Sequence, residues 1–374
     1  MQLRIRKSII TPLFILLGGS WLMAQSTQSI RGMVIDQNTG IPLIGATVLL
    51  LDHEPLMGTI SDRQGFFNLE EVPVGRRGIR IDYLGYQSVI REGLDVTAGK
   101  AFNLHVEMEE SAIMGEEAEV RAFSNKGQAL NEMALVSARS FNMEEAERYA
   151  GSWGDPARLV ANFAGVQSPA DQSNDIIIRG NSPAGLLWKM EGVSIYNPNH
   201  FGSIGSTGGP ISMINNNMLA NSDFYSGAFP SQYGNATSGV FDLNLRSGNN
   251  QDREYTAQVG FNGFEFGAEG PFSKKSNASY VLSYRYSSLA FFEALGLDMG
   301  VPAVPYYQDL TFKVDVPISE KDRLSIFGLG GVNHIGSELE EDERYDYFRS
   351  NAWTGVVGIS HRHYFNEKTR LRTI

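Results

Sequence analysis

A few clusters in this sequence carry residue types capable of chemistry. Gly202-Ser203-Ile204-Gly205-Ser206-Thr207-Gly208-Gly209 has the glycine density of a phosphate-cradling loop. No Lys-Ser/Thr ends it and no convincing helix follows, so a tight turn accounts for it better than a nucleotide site. His361 and His363 share one face of an alternating segment, but a pair of histidines without a third ligand is a poor metal site. Glu338, Glu340, Glu341, Asp342 and Glu343 read as a solvated acidic loop, with weak calcium binding as the alternative. Tyr196, Asn197, Asn199, His200 and Phe201 put polar and aromatic side chains on one loop, the best candidates for ligand contact. Packing of that loop against a neighbouring wall is an equal alternative. No Ser-His-Asp set or carboxylate pair stands in a catalytic motif, so the sequence argues against an enzyme and calls for no cofactor.

The elements that position these residues begin with an export signal. Arg4, Arg6 and Lys7 precede a mostly apolar stretch from Ile9 to Leu17, and Leu22-Met23-Ala24 offers cleavage between Ala24 and Gln25. This order predicts a signal peptide over residues 1–24, its apolar core short of the roughly 20 residues that span a bilayer. With no cysteine, the mature chain is neither a lipoprotein, a disulfide scaffold nor a thiolate metal site. The leader holds three of the 31 basic residues, so the remainder face 42 acidic ones, which argues against nucleic acid. No later stretch reaches the roughly 18 apolar residues of a membrane helix. A chain of this kind spans a membrane only as a β-barrel, because helices and closed barrels alone satisfy every backbone group in lipid. Its 40 Gly, 15 Tyr and 21 Phe suit turn-rich β structure with aromatic girdles.

Residues 25–110 read as a small β-sandwich. Ile30–Ile35, Ala46–Leu50, Phe66–Leu69 and Ile79–Tyr83 are short strands separated by turns such as Asp36-Gln37-Asn38-Thr39-Gly40 and Ser61-Asp62-Arg63-Gln64-Gly65. The motifs Arg31 to Asp36, Gly40 to Val48, Thr59 to Phe66 and Tyr83 to Tyr86 resemble the carboxypeptidase-regulatory-like domain, which implies an accessory module without peptidase activity. Residues 111–140 form a linker. In it, Glu116-Glu117-Ala118-Glu119-Val120-Arg121-Ala122 could pair as an extended strand with a partner's sheet edge or serve as an acidic tether.

Residues 141–250 read as compact α/β. Asn142 to Tyr149 looks helical, and Asp155-Pro156 opens a second helix that Gly165 is expected to end. Strands are expected at Asp175–Arg179, Leu186–Met190 and Val240–Leu245. Asp155 to Leu159, Gly165-Val166, Ile178-Arg179-Gly180-Asn181 and Met190-Glu191-Gly192-Val193 resemble the plug domain of TonB-dependent receptors. So do Tyr225 to Pro230, Tyr233-Gly234-Asn235-Ala236 and Gly239-Val240. This chain departs from the plug pattern at Glu191, usually Asp, and at Ser238, usually Gly. Tight turning inside a barrel suggests a need for glycine at Gly180, Gly192, Gly234 and Gly239. Arg179 is expected to bond a carboxylate of plug or barrel.

From residue 251 to 374 apolar and polar residues alternate. Tyr255, Ala257, Val259 and Phe261 share a face, and Asn262-Gly263 signals a hairpin. Phe264, Phe266 and Ala268, then Tyr280 to Tyr286, then Leu310 to Val316 continue the pattern. Further strands are expected near Arg323–Gly331 and Asn351–His363, with another beginning at Thr369. The connections alternate short and long, with Ser288–Gln308 and Val332–Ser350 as long outer loops. Six strands and the start of a seventh fall short of the about 22 in plugged transporters, so the barrel is expected to be incomplete. The predicted fold is therefore mainly β: a sandwich, an α/β plug and an incomplete antiparallel transmembrane barrel. The resemblance implies an outer-membrane protein with a periplasmic N-terminal domain, an external ligand and energy from an inner-membrane TonB complex. In that scheme Glu116–Ala122 is the TonB-contact candidate. The same architecture without transport, in a binding, signalling or scaffold protein, is the alternative.

Overall fold

A computed structural model describes residues 27–37, 39–51, 53–110, 137–141, 151–203, 205–260, 263–273, 277–296, 303–319, 321–341, 344–366 and 369–374, and of 337–348 only the backbone. The predicted leader, the segment Glu116–Ala122 and the helix expected at Asn142–Tyr149 lie outside the described residues. The chain divides into two units, the first within residues 1–121 and the second carrying everything from Ala122 onward.

In the first unit, strands β1 (Thr27–Asp36), β4 (Phe66–Pro73) and β7 (Phe102–Met108) form one sheet in the order β4-β1-β7. Strands β2 (Thr47–Leu50), β3 (Gly58–Ile60), β5 (Gly75–Asp82) and β6 (Val89–Val96) form the other, in the order β3-β2-β5-β6. Alternate residues point inward: Val48 and Leu50, Phe67 and Leu69, Ile79 and Ile81, Leu94 and Val96, Val106 and Met108 share one buried cluster. The motif residues act locally. Asp62 Oδ1 accepts from the backbone N–H of Gln64 at 2.9 Å and of Phe66 at 2.8 Å, which closes the turn before β4. The Ser61 hydroxyl donates to the Leu43 carbonyl and accepts from the Ala46 N–H, so one buried serine holds the Pro-Leu-Ile-Gly-Ala loop.

The second unit has a core layer and a wall packed against it. The core layer is a mixed sheet of β8 (Ala138–Phe141), β11 (Leu186–Met190), β12 (Val193–Ile195), β15 (Ser222–Tyr225) and β16 (Gly239–Leu243), ordered β12-β11-β16-β15-β8. Only β11 and β16 run parallel. The short pairs β9 (Val166–Gln167) with β10 (Ile177–Ile178) and β13 (Asn199–His200) with β14 (Ile211–Ser212) flank it. Trp188 stacks on Phe241 with ring centroids 4.1 Å apart, and Phe141 and Phe224 complete the aromatic centre. Helix α1 (Pro156–Val160) starts as expected, with Asp155 as N-cap accepting from the Ala157 N–H at 2.9 Å. It stops earlier than expected. Asn162 turns its amide back onto the Arg158 and Leu159 carbonyls, so the helix is closed before Gly165, which sits at φ +80° in the following turn.

The wall is one antiparallel sheet of seven strands in chain order. They are β17 (Glu254–Gly260), β18 (Gly263–Pro271), β19 (Ser279–Tyr286), β20 (Tyr306–Pro317), β21 (Asp322–Glu341), β22 (Arg344–Asn366) and β23 (Thr369–Thr373). Its edges are β17 and β23. The first hairpin turns one residue earlier than expected, because Gly260 pairs with Gly263. Gly263 takes φ +124° and packs against the Tyr286 carbonyl, where a Cβ has no room. A larger departure concerns Val332–Ser350, expected as a loop. There β21 and β22 stay paired out to Glu341 and Arg344. The backbone of so long a connection has to bond somewhere, and continuing the ladder satisfies it internally. Glu338, Glu340 and Glu341 therefore lie on strand backbone, not in a solvated loop, and Asp342 and Glu343 fall outside the described residues. The other long connection carries helix α2 (Ser288–Ala294), capped by the Ser287 hydroxyl.

Register gives the wall two unlike faces. One presents Tyr255, Ala257 and Val259, then Phe264 and Phe266, then Leu282 and Tyr284, then Leu310 and Phe312, then Ile326, Val357 and Ile359. Trp353 is 82% exposed on this face and Val357 71%. The other carries Glu265, Glu269, Arg285, Asp309, Lys313, Asp315, Arg323, Arg362 and Arg372 around the apolar Val281, Phe327 and Leu329, which join the core of the plug layer. An apolar face left exposed over this many strands belongs against hydrocarbon. Val357→Arg should therefore cost the protein about 2–4 kcal/mol in lipid vesicles, read as a lower urea midpoint. The same substitution at Asn351, toward the end of the face, should cost under about 1 kcal/mol.

Candidate functional site

Two tight turns of the same kind stand in the plug layer, and one of them meets the wall. Arg179 and Gly180 connect the bridged pair Ile178 and Asn181, and Glu191 and Gly192 connect the paired Met190 and Val193. Both residues of each turn have positive φ, at +50° and +80° and at +50° and +89°. That is the hairpin turn whose twist matches its strands, and it explains the glycine in each second position. Asn, Asp or Gly suits the first position better than Glu, which accepts roughly 1–2 kcal/mol of backbone strain there.

Glu191 uses the extra reach. Its Oε1 accepts from Lys313 Nζ at 2.7 Å and from the Leu245 N–H at 3.0 Å, and its Oε2 accepts from Arg372 Nη2 at 3.0 Å. Lys313 also donates to the Leu245 carbonyl at 2.7 Å, and Arg372 to the Glu191 carbonyl at 2.8 Å. The carboxylate is 1% exposed. Burial alone would raise its pKa, but Lys313, Arg362 and Arg372 together outweigh burial and hold it below the ordinary Glu value.

Two further clusters bind plug to wall. Arg246 grips Glu269 in a fork, Nη1 to Oε2 at 2.7 Å and Nη2 to Oε1 at 2.8 Å. Higher up, Asp309 Oδ2 accepts from Arg285 Nη2 at 2.8 Å and meets His200 Nε2 at 2.9 Å, while Arg285 also bonds the Ser212 carbonyl. Between them Asn215 donates to the Ser283 hydroxyl at 2.9 Å and Asn217 to Glu265 at 2.9 Å. Every one of these bonds crosses from plug layer to wall or steadies one that does.

The ligand-contact candidates separate. Tyr196 is 71% exposed and Phe201 partly so, whereas Asn197, Asn199 and His200 are buried. Asn199 and Asn197 knit the loop to itself: Asn199 donates to Asn197 Oδ1 at 2.7 Å, and Asn197 to the Gly208 carbonyl at 3.0 Å. The glycine-rich run Gly202–Gly209 is the other half of that knot, which fits the tight-turn reading. Buried Asn174 joins it to the helix cap by donating to Asp155 at 2.7 Å. Tyr233 donates to Asp242 at 2.6 Å. Gly239 has no room for a Cβ beside Ile178, but Gly234 has open space around it, and the positive φ falls on Asn235. The steric need expected at Gly234 is therefore absent. Arg179 also differs: it is exposed and donates to the Ser137 hydroxyl at 2.9 Å, with no carboxylate among its bonds. A residue on the outer side of a tight turn points away from the wall carboxylates. His361 and His363 both bond Asp322, at 3.0 and 2.7 Å, and no group of three His, Asp or Glu among the described residues could hold a metal.

The sandwich strands, the Asp62 turn and the Ser61 clamp lie in the segment that a family comparison matches. Residues 29–109 match the carboxypeptidase regulatory-like domain family. The match spans both sheets of that domain and bears out the resemblance in its motifs. No curated protein compared with the chain matches it. Solved structures similar to it include a ferric enterobactin receptor from Pseudomonas aeruginosa with enterobactin bound, at 14% identity and TM-score 0.43 over 62% of this chain and 39% of that one. FpvA of P. aeruginosa bound to heterologous pyoverdines aligns at 12% identity and TM-score 0.42, over 62% of this chain and 32% of that one. The alcaligin outer-membrane receptor FauA of Bordetella pertussis aligns at 14% and 0.41, over 63% and 37%. The chain thus spans well under half the length of these structures.

Lys313, Arg372, Arg246, Glu269, Arg285 and Asp309 were not singled out from sequence. Their signal was there: each wall member is a charged residue on the polar parity of an otherwise apolar strand. Glu191→Gln should lower plug stability by about 3–5 kcal/mol, because it leaves buried cations without their anion. Lys313→Met in that background should add little, since both act through one pair. A carboxylate held below its ordinary pKa contributes stability above about pH 4.3 and loses it as pH falls through its lower folded value. Acid titration of the plug's denaturation midpoint should show that loss, and Glu191→Gln should flatten it.

Proposed function

We propose that this chain is the N-terminal part of a TonB-dependent outer-membrane receptor that takes up an external ligand by energy-coupled movement of its plug. The observation carrying this reading is the seam: a two-faced wall whose polar row is bonded at Glu269, Arg285, Asp309, Lys313 and Arg372 to the compact layer packed on that face. A soluble sandwich has no use for an apolar exposed face backed by buried charges. One of the plug motifs, Glu191-Gly192, falls on a turn of the seam. The regulatory-like domain precedes the plug in the chain.

In this reading the ligand arrives on the side of Tyr196 and Phe201, and the inner-membrane TonB complex takes hold of Glu116–Ala122. That segment precedes in sequence β8, which among the described residues is the edge strand of the plug sheet, joined to β15 by the pairs from Ser222–Phe141 to Tyr225–Ala138. Tension from the N-terminal side reaches this edge first. The partner supplies the energy, so the chain needs no cofactor. Deleting residues 113–122 from the protein in its host should abolish uptake while ligand still binds at the cell surface. Uptake at the undiminished rate would remove the coupling role, and binding without uptake even in the intact protein would favour a signalling or scaffold receptor.

A further inference from the structure

His200 is the only histidine of the seam among the described residues, and its surroundings are unusually constrained. The ring is fully buried. Its Nε2 lies 2.9 Å from Asp309 Oδ2, an oxygen that also accepts Nε and Nη2 of Arg285 at 3.0 and 2.8 Å. That oxygen faces the imidazole as an acceptor, so Nε2 carries the hydrogen. Nδ1 of the neutral ring is then an acceptor in turn. The group opposite it is the Asn333 amide nitrogen, at 3.4 Å. With its nitrogen committed to His200, Asn333 leaves Oδ1 buried and without a hydrogen-bond partner among the described residues. An unpaired buried acceptor is costly, so this corner of the seam is held only marginally.

Protonation in place does not repair it cheaply. Both ring nitrogens would donate, which requires the Asn333 amide to turn over, and the new charge would sit beside Arg285. The groups facing the ring are few. From β20 come Asp309 and Tyr307, whose ring centroid is 5.0 Å away; from β19 comes Arg285; from β21 come Asn333 and Gly331; and the plug side gives Phe201 and Met213. Asp309 is the only anion against the ring among the described residues, and Arg285 already occupies it.

We propose that His200 and Asn333 form a proton-operated catch, which seats the plug loop on wall strands β20 and β21 while the imidazole is neutral and lets go in mild acid. The proposal rests on the plug-and-wall reading above and adds a condition for release. Burial lowers the His200 pKa, Asp309 opposes this, and the net shift is downward. A depressed histidine contributes seating stability that is present above the ordinary value of about 6.5 and is lost as pH falls below it, because the released ring takes the proton more readily. This window is well separated from the Glu191 titration, which lies below about pH 4.3.

The chain has no cysteine, so single thiols report cleanly. Met213 is fully buried beside Gly331 and His200, and Tyr196 is exposed on the same face of the plug. The experiment compares labelling of Met213→Cys with that of Tyr196→Cys, in the full-length protein in native membranes, using a methanethiosulfonate reagent. The ratio of the two rates cancels the thiol's own pH dependence. It should rise about tenfold from pH 7.5 to 5.5. His200→Gln keeps a donor to Asp309 without a titrating ring, and Asn333→Asp gives a seated imidazolium its own anion, so each should hold the ratio flat. A flat ratio with His200 in place overturns the catch, as does a rise that persists in either variant. Labelling reads the seam whether or not the chain transports anything, so a failure of uptake and a failure of the catch give different results.

Discussion

A single buried carboxylate sets where the plug sits. Glu191 stands at the first position of a two-residue turn that prefers a shorter residue, and it reaches Lys313 and Arg372 from there. Asp at this position would relieve the backbone but lose about one methylene of reach. Once Glu191 is paired, β11 and β12 are fixed in height against the wall, and the parallel ladder carries that position on to β16. The Leu245 peptide bonds both members of the pair, so the exit of the plug chain toward the wall is tied at the same point.

The rest of the seam divides into two kinds of hold. Val281, Phe327 and Leu329 on the wall join the plug's apolar core and give non-directional adhesion of roughly 1.5–3 kcal/mol each. The charged clusters add little net energy, because desolvation offsets most of their attraction, but they are unforgiving of error. A slip by one wall strand would leave several buried charges unpaired. Such a seam is specific when closed and yet separable, since both partners of each pair can be hydrated together when they part. A purely apolar seam of this size would be neither as well registered nor as easily wetted.

Much of this was legible in the sequence. Alternation revealed the wall strands and the apolar parity, because a strand between lipid and a polar interior has no other way to be written. The Ser61-Asp62 turn and the Asp155 cap worked as their residue types suggested. The seam's partners were not legible. Nothing in the local pattern around Lys313 says that its mate is 122 residues away, and a charged inward residue looks the same whether it meets water or a plug. At Tyr196–Phe201 polar and aromatic character fits ligand contact and packing on a wall equally: Asn197, Asn199 and His200 knot the loop or seat it on the wall, while Tyr196 is exposed and Phe201 half-buried. Alternating connection lengths make Val332–Ser350 look like a long loop, and they do not reveal that its backbone continues the β21–β22 ladder.

The central claim is that the plug must leave the wall for anything to pass. It is tested most directly by locking one seam contact that already spans the two. Asn215→Cys with Ser283→Cys replaces a hydrogen-bonded pair in a protein otherwise free of thiols. In cells making this variant, oxidation should abolish ligand uptake while leaving surface binding intact, and reduction should restore uptake. Uptake that continues at the same rate with the bridge fully formed would contradict the account.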